Sequence, residues 1–134
     1  MIKRTYKYKD YNDNEREETY YFDLRDDELV KLELGTIGGL SEKIKRLIST
    51  QDIPEIIKVF EDVVKMSYGE KSADGREFIK DPALTKSFMQ TKGYSMLFMD
   101  FITKENFASD FFNELVPNTA GLQTVEEEKT SESK

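Results

Sequence analysis

The chain has 134 residues, no cysteine and no histidine, and its 27 acidic and 20 basic residues give a net charge of −7. These absences exclude disulfides, zinc sites built on thiolate or imidazole, and hydrolase triads with a histidine base. The acidic balance argues against a nucleic-acid partner, because affinity for a phosphate backbone comes mainly from lysine and arginine. The chain also lacks an apolar run long enough to span a bilayer and any signal-peptide pattern, so we expect one globular domain in the cytoplasm with no membrane partner.

The first 24 residues predict an antiparallel β-hairpin. Apolar and aromatic residues alternate with polar residues over residues 2–9 and again over residues 20–24. Between them, a cluster of Asp and Asn at residues 10–14 is typical of a turn. Because an isolated hairpin is marginally stable in water, its aromatic face is expected to pack on the rest of the chain.

Residues 25–117 carry apolar side chains at the spacing of about five or six helices. The predicted fold is therefore α+β, with the hairpin over residues 1–24 packed on a helical bundle over residues 25–117. Together they form one globular domain, and residues 118–134, which lack an apolar stripe, are expected to be a disordered acidic tail. The predicted stripes are Leu29, Leu32 and Leu34; Leu40, Ile44, Leu47 and Ile48; Ile53, Ile56, Ile57, Phe60, Val63 and Val64; Leu84, Phe88 and Met89; Tyr94, Leu97, Phe98, Phe101 and Ile102; and Phe107, Ala108, Phe111, Phe112 and Leu115.

Local signals indicate where several helices begin and end. Asp52 followed by Glu55 matches a capping box, and Asp81-Pro82 is a favourable helix start. We interpret Gly69 as the end of the third helix and Gly93 as an interruption between the fourth and fifth helices.

No catalytic, metal-binding or cofactor-binding residue is predicted. The loop at residues 71–77 contains Ser, Asp, Glu and Gly, but it matches neither a calcium loop nor a phosphate-binding loop. Neighbouring acids such as Asp26-Asp27 and Glu61-Asp62 are typical of solvated faces. A non-enzymatic protein is therefore expected.

The segment from residue 78 to residue 112 is rich in Phe and Met. Most of these side chains must belong to the core, but Met96 and Met99 lie off the main stripe of their helix. Two interpretations stay open: the helix is core on most sides, or a partner covers its second face. Methionine suits such a surface because its side chain is flexible and polarizable. The candidate partner-binding residues are Met96, Met99, Phe107 and Phe111.

Several short segments resemble tail assembly chaperones of long-tailed bacteriophages. They are Phe22-Asp23-Leu24 followed by Glu28-Leu29, the step Gly38-Gly39-Leu40, residues 68–78 (YGEKSADGREF) and residues 111–117 (FFNELVP). The resemblance covers most of residues 1–117. It implies a protein that binds and solubilises the tape measure protein, helps recruit tail-tube subunits and can self-associate in multiple copies. Such a protein works in the cytoplasm of the infected bacterial host and is not expected in the mature virion.

The chain departs from similar sequences at Arg25, where they commonly place Ser or Thr to cap the first helix. Arginine has no side-chain acceptor for the capping bonds. We therefore expect the helix start to shift or to be capped by Asp23 or Asp26.

Two other classes compete with the chaperone interpretation. A small acidic inhibitor that mimics DNA would array carboxylates over one face, whereas lysine and arginine are interspersed with acids nearly throughout this chain. An enzyme that uses carboxylates and a divalent cation would need three or four converging acids, and no spacing predicts them. The acidic inhibitor is kept as the alternative.

Overall fold

The computed structural model describes residues 1–116, and the predicted tail at 118–134 lies outside them. Within this part of the chain there are six helices and one four-stranded sheet with the order β1-β2-β3-β4. The α+β prediction is confirmed. The elements in chain order are β1 (Ile2–Lys9), β2 (Glu15–Phe22), α1 (Asp26–Gly35), α2 (Leu40–Thr50), α3 (Ile53–Ser67), β3 (Tyr68–Lys71), β4 (Phe78–Ile79), α4 (Pro82–Phe88), α5 (Lys92–Thr103) and α6 (Phe107–Leu115).

The N-terminal hairpin is present as predicted. β1 and β2 pair antiparallel from Ile2↔Phe22 to Lys9↔Glu15. In the turn, the Asp10 carboxylate accepts hydrogen bonds from the backbone N–H groups of residues 12 and 14, at 2.9 and 3.0 Å. The Asp10 side chain therefore stabilises the turn, as the composition of residues 10–14 indicates.

Strands β3 and β4 lie within the interval that the sequence pattern assigns to helices. β3 extends the hairpin through Tyr21↔Gly69 and Phe22↔Tyr68, and β4 adds to β3. These strands have only four and two residues. Such short strands carry almost no periodic pattern, and they form because a neighbouring strand is available for pairing.

The inner face of the sheet and the helices bury one aromatic core. The rings of Phe22 and Phe60 lie 5.4 and 5.6 Å from the ring of Phe111, centroid to centroid. Tyr68 stacks on Phe88 at 4.2 Å. These contacts join the sheet to α3, α4 and α6, which explains how the hairpin gains the stability that it lacks alone.

Both glycines that we interpreted as helix breaks have a different role. α3 ends at Ser67, and Gly69 lies in β3, where a Cβ would come within 2.7 Å of the Ile79 carbonyl oxygen. Gly93 lies inside the first turn of α5, where a Cβ would collide with the ring of Tyr20. The two predictions are therefore wrong, since the absent side chains allow close packing rather than ending a helix.

Helix starts follow the local signals at two of three positions. The carboxylate of Asp52 accepts from the N–H of Glu55 at 3.4 Å, and Asp81 caps α4 through the N–H of residue 83 at 2.8 Å. The expected cap at Asp23 or Asp26 is wrong, because Arg25 itself is the residue before the first turn of α1. There the Glu28 carboxylate accepts from the N–H of Arg25 at 2.9 Å, so the acid three positions later stabilises this start.

Three residues assigned to apolar stripes are exposed instead: Leu34, Ile53 and Ile102. Each is the first or the next-to-last residue of its helix. A helix end that extends past its neighbours leaves its side chain in water even when the spacing is correct.

Candidate partner-binding surface

Helix α5 carries apolar residues on two faces. The buried face includes Leu97 and Phe101, which are 0% and 4% exposed. On the other side, Met96, Met99 and Ile102 are 36%, 51% and 43% exposed. Residues three apart are neighbours on a helix surface, so these three side chains form one row, which we call the α5 row.

One end of the α5 row borders a groove of about 570 Å³ between α5 and β1. Met96 and Phe107 line this groove together with the side of β1. The hydroxyl of Tyr6 donates to the Asp100 carboxylate at 2.9 Å, and the Arg4 guanidinium lies 5.5 Å from the ring centroid of Phe107. Burial, and then the hydrogen bond to Asp100, raise the pKa of Tyr6 above its ordinary value, which keeps the phenol protonated as the donor. These contacts fix α5 and α6 against the hairpin.

The four candidate residues separate into exposed and buried groups. Met96 and Met99 are exposed, and Phe107 is half-buried. Phe111 is 0% exposed, lies between Phe22 and Phe60, and stacks on Phe107 at 6.1 Å. The inclusion of Phe111 in a docking surface is therefore wrong, because α6 turns this side chain into the aromatic core.

Ile102 belongs to the exposed row, although its spacing from Phe98 assigns it to the buried stripe. Ile102 also follows Met99 by three residues, and this spacing places it in the row with Met96 and Met99. The assignment to the buried stripe did not take this second spacing into account. Ile102 lies on the same side of α5 as Met99, away from the face that buries Phe101, and it is 43% exposed.

Several titratable groups within residues 1–116 make structural contacts. No cluster of acids in this part of the chain is suited to hold a metal ion. A hydrogen bond from the Arg16 side chain lowers the pKa of Asp10. Hydrogen bonds from the backbone N–H of Arg76 and, to a lesser degree, from the hydroxyl of residue 72 lower the pKa of Asp74. The Tyr94 hydroxyl is buried without a hydrogen-bond partner among the described residues, and burial raises its pKa to about 12. These carboxylates stabilise turns, and the buried phenol stays neutral.

A second groove, of about 460 Å³, lies between the end of α3 and α4. Pro82 and Met89 contribute apolar surface, and Lys65, Lys80 and Lys86 lie around it. Lys80 is already bound to a carboxylate of α1 at 2.8 Å. The three lysines make the border of this groove charged, whereas the α5 row consists of apolar side chains.

A family model described as phage tail assembly chaperone matches residues 1–134, the whole chain. The chain belongs to this family. The resemblance carried by the short segments is thereby confirmed. No curated protein and no solved structure matches the chain. None of the helices within residues 1–116 is long and apolar enough to cross a membrane.

A tail assembly chaperone contacts other proteins, and the α5 row is an exposed apolar surface within residues 1–116. It combines three flexible or branched apolar side chains on a helix whose opposite face is anchored in the core. Such a surface stays in place while its methionines adapt to differing apolar partners.

Proposed function

We propose that this phage tail assembly chaperone binds and solubilises the tape measure protein through the α5 row and helps recruit tail-tube subunits, acting by contact without catalysis. The observation that supports this proposal is the exposure of Met96, Met99 and Ile102 along one line of a helix whose opposite face is buried. A row of this kind fits the apolar face of a partner helix. The site of action is the cytoplasm of the infected host.

Several copies on one long partner would strengthen weak single contacts. Three partly exposed side chains offer a small apolar area, so one copy alone is expected to bind weakly. When many copies are held by the same partner, each further contact becomes effectively intramolecular and the complex gains stability. The proposal therefore predicts more than one chaperone bound to each tape measure protein.

Co-expression with the tape measure protein of the same phage tests this proposal. The wild-type chaperone is expected to keep that protein in the soluble fraction. Replacing Met96 and Met99 together with Gln should abolish this effect, because two polar amides break the apolar row while leaving the buried face of α5 intact. Circular dichroism and a thermal melt of the double variant should match the wild type.

The chain offers a matched control in another exposed apolar pair. Leu34 and Ile37 are 77% and 100% exposed and lie at the end of α1 and just after it. Replacing both with Gln removes at least as much exposed apolar surface, yet the variant should still solubilise the tape measure protein. Equal loss in both double variants would refute the assignment to α5. Failure of the wild type to retain any tape measure or tail-tube protein at low and moderate salt would refute the function and favour the acidic inhibitor.

A further inference from the structure

The groove of about 460 Å³ between the end of α3 and α4 has lysines at its border and an apolar surface between them. Pro82 and Met89 form the apolar surface. Lys65 and Lys86 are exposed, and neither forms an ion pair with a carboxylate of residues 1–116. We call this site the lysine groove. Its two unpaired cations are available to a further carboxylate.

The lysine groove already holds one carboxylate. Lys80, its third lysine, lies 2.8 Å from both carboxylate oxygens of Glu28. Asp81 also lines the groove, but its carboxylate accepts from the backbone N–H of residue 83 at 2.8 Å and so stabilises the start of α4. The acids of residues 1–116 therefore neutralise one of the three lysines and leave the other two unpaired.

Cations in three other grooves already have carboxylate partners. They are Arg4, Lys7 and Lys104 beside β1, Lys45 between α2 and α6, and Arg25 and Arg76 near the N-terminus, with N–O distances of 2.9–3.9 Å. Lys71 in the last of these grooves lies over the ring of Tyr21, 4.5 Å from its centroid. In a fourth groove, which shares Lys65, the charge of Lys43 is offset by that of Asp62. Charge complementarity therefore favours the lysine groove as the place where an acidic segment binds.

The chain itself contains such a segment after the described residues. Residues 126–128 are three consecutive glutamates. Their carboxylates match the unpaired lysines in charge, and their methylene groups match the apolar surface of Pro82 and Met89. A segment that belongs to the same chain is also present at a high effective concentration, so weak contacts are sufficient to hold it.

The glutamates are close enough along the chain to reach the lysine groove. Residue 126 follows Val116, the last described residue, by ten positions. An extended segment of this length spans up to about 33 Å, whereas a domain of about 100 residues has a radius of gyration of about 13 Å. The end of α6 therefore does not restrict which groove the segment can contact.

We propose that residues 126–128 dock in the lysine groove of their own chain, with their carboxylates paired to Lys65 and Lys86. An acidic segment of another protein can then enter the groove only by displacing them. Exposed ion pairs add little to stability, so loss of this contact should leave the melting temperature almost unchanged. The inference goes beyond the proposed function and does not depend on it, because it concerns neither the α5 row nor the tape measure protein.

Carbodiimide cross-linking of the purified full chain tests the contact directly, because the reagent joins a carboxylate to an adjacent amine. An equimolar mixture of ¹⁴N- and ¹⁵N-labelled chains separates links within one chain from links between chains. Mass spectrometry should find residues 126–128 linked to Lys65 or Lys86 within one chain, several-fold more often than to Lys3 or Lys9 on β1. These links should disappear at high salt, which screens exposed charges. Equal yields at all four lysines, or links mainly between differently labelled chains, would overturn the proposal.

Charge reversal in the groove provides a second test with a matched control. In NMR spectra at low salt, the double variant Lys65→Glu with Lys86→Glu should give the amide shifts of residues 126–128 that the wild type gives only at high salt. Lys3→Glu with Lys9→Glu makes the same change in net charge at exposed lysines that also lack an ion pair within residues 1–116. This control should keep the low-salt shifts of the wild type, and circular dichroism of both variants should match it. The same shifts in both double variants would contradict docking at this groove.

A charge swap separates a direct contact from a general effect of net charge. Glu126→Lys, Glu127→Lys and Glu128→Lys are added to the groove variant that carries Lys65→Glu and Lys86→Glu. Carbodiimide links between residues 126–128 and positions 65 and 86 should return, because amines and carboxylates face each other again with their places exchanged. A combined variant that forms no such links would refute the pairing.

Discussion

Phe60 is the side chain whose removal tests the core most directly. It lies on α3 with 0% exposure, and its ring centroid is 3.9 Å from that of Phe101, 5.6 Å from Phe111 and 6.3 Å from Phe98. The substitution Phe60→Ala deletes the ring that connects α3 to α5 and α6. The neighbouring rings belong to different elements, so they are not expected to collapse together and close the cavity.

The expected loss follows from these contacts. Truncation of a buried Phe to Ala costs about 3–5 kcal/mol, as the sum of lost transfer free energy and the cavity left behind. The close ring contacts and full burial of Phe60 place it toward the upper part of that range, because aromatic pairs each add about 0.5–1.5 kcal/mol beyond area burial. Since domains of this size unfold with about 5–15 kcal/mol, the variant is expected to be close to unfolding.

Urea unfolding followed by circular dichroism measures the effect. For a slope of about 2 kcal/mol per M, a loss of about 4 kcal/mol moves the midpoint down by about 2 M. Ile53→Ala, at the exposed start of the same helix, is the control and should change the free energy of unfolding by less than about 0.5 kcal/mol. A loss below about 1 kcal/mol for Phe60→Ala would refute the reasoning, because it would mean that the ring is not enclosed by α5 and α6.

Two further predictions concern the pH dependence of stability and the end of the domain. Burial alone would raise the pKa of the Glu28 carboxyl group. Lys80 donates to both carboxylate oxygens at 2.8 Å, and the N–H of Arg25 donates to one of them. These hydrogen bonds have the larger effect, so the pKa of Glu28 lies below its ordinary value. A carboxyl group whose pKa is lower in the folded state stabilises the fold at pH values above its unfolded-state pKa. This stabilisation is lost as the pH falls through the folded-state pKa. Glu28→Gln should therefore be less stable than wild type near neutral pH, with a difference that shrinks below about pH 4 in thermal melts; a constant difference would contradict the ion pair. Truncation after Pro117, proposed as the end of the domain, should change the melting temperature by less than about 2 °C, and a larger loss would show that Leu122 or Val125 docks on residues 1–116.

Sequence patterns determine much of this fold because the decisive signals are local. Alternation over residues 2–9 and 20–24 predicts the hairpin, and the helical spacing of apolar residues predicts about five or six helices, of which residues 1–116 contain six. Asp52 and Asp81 indicate helix starts that the structure confirms, since a capping side chain bonds backbone groups two or three residues away. The absence of cysteine and histidine narrows the possible chemistry through composition alone.

Tertiary structure alone decides features that depend on distant neighbours. The pairing of Gly69 with Tyr21 joins residues far apart in sequence, and four strand residues hold no pattern strong enough to predict it. Gly93 suggests a helix break in the sequence, yet it lies within α5. The ring of Tyr20 packs where a side chain at position 93 would lie, so only glycine fits there. Similarly, the same helical spacing assigns Phe111 and Ile102 to apolar stripes, but the structure buries Phe111 and leaves Ile102 exposed. Spacing identifies the apolar face of a helix, but burial requires another element opposite each residue, and only the folded chain determines where that element ends.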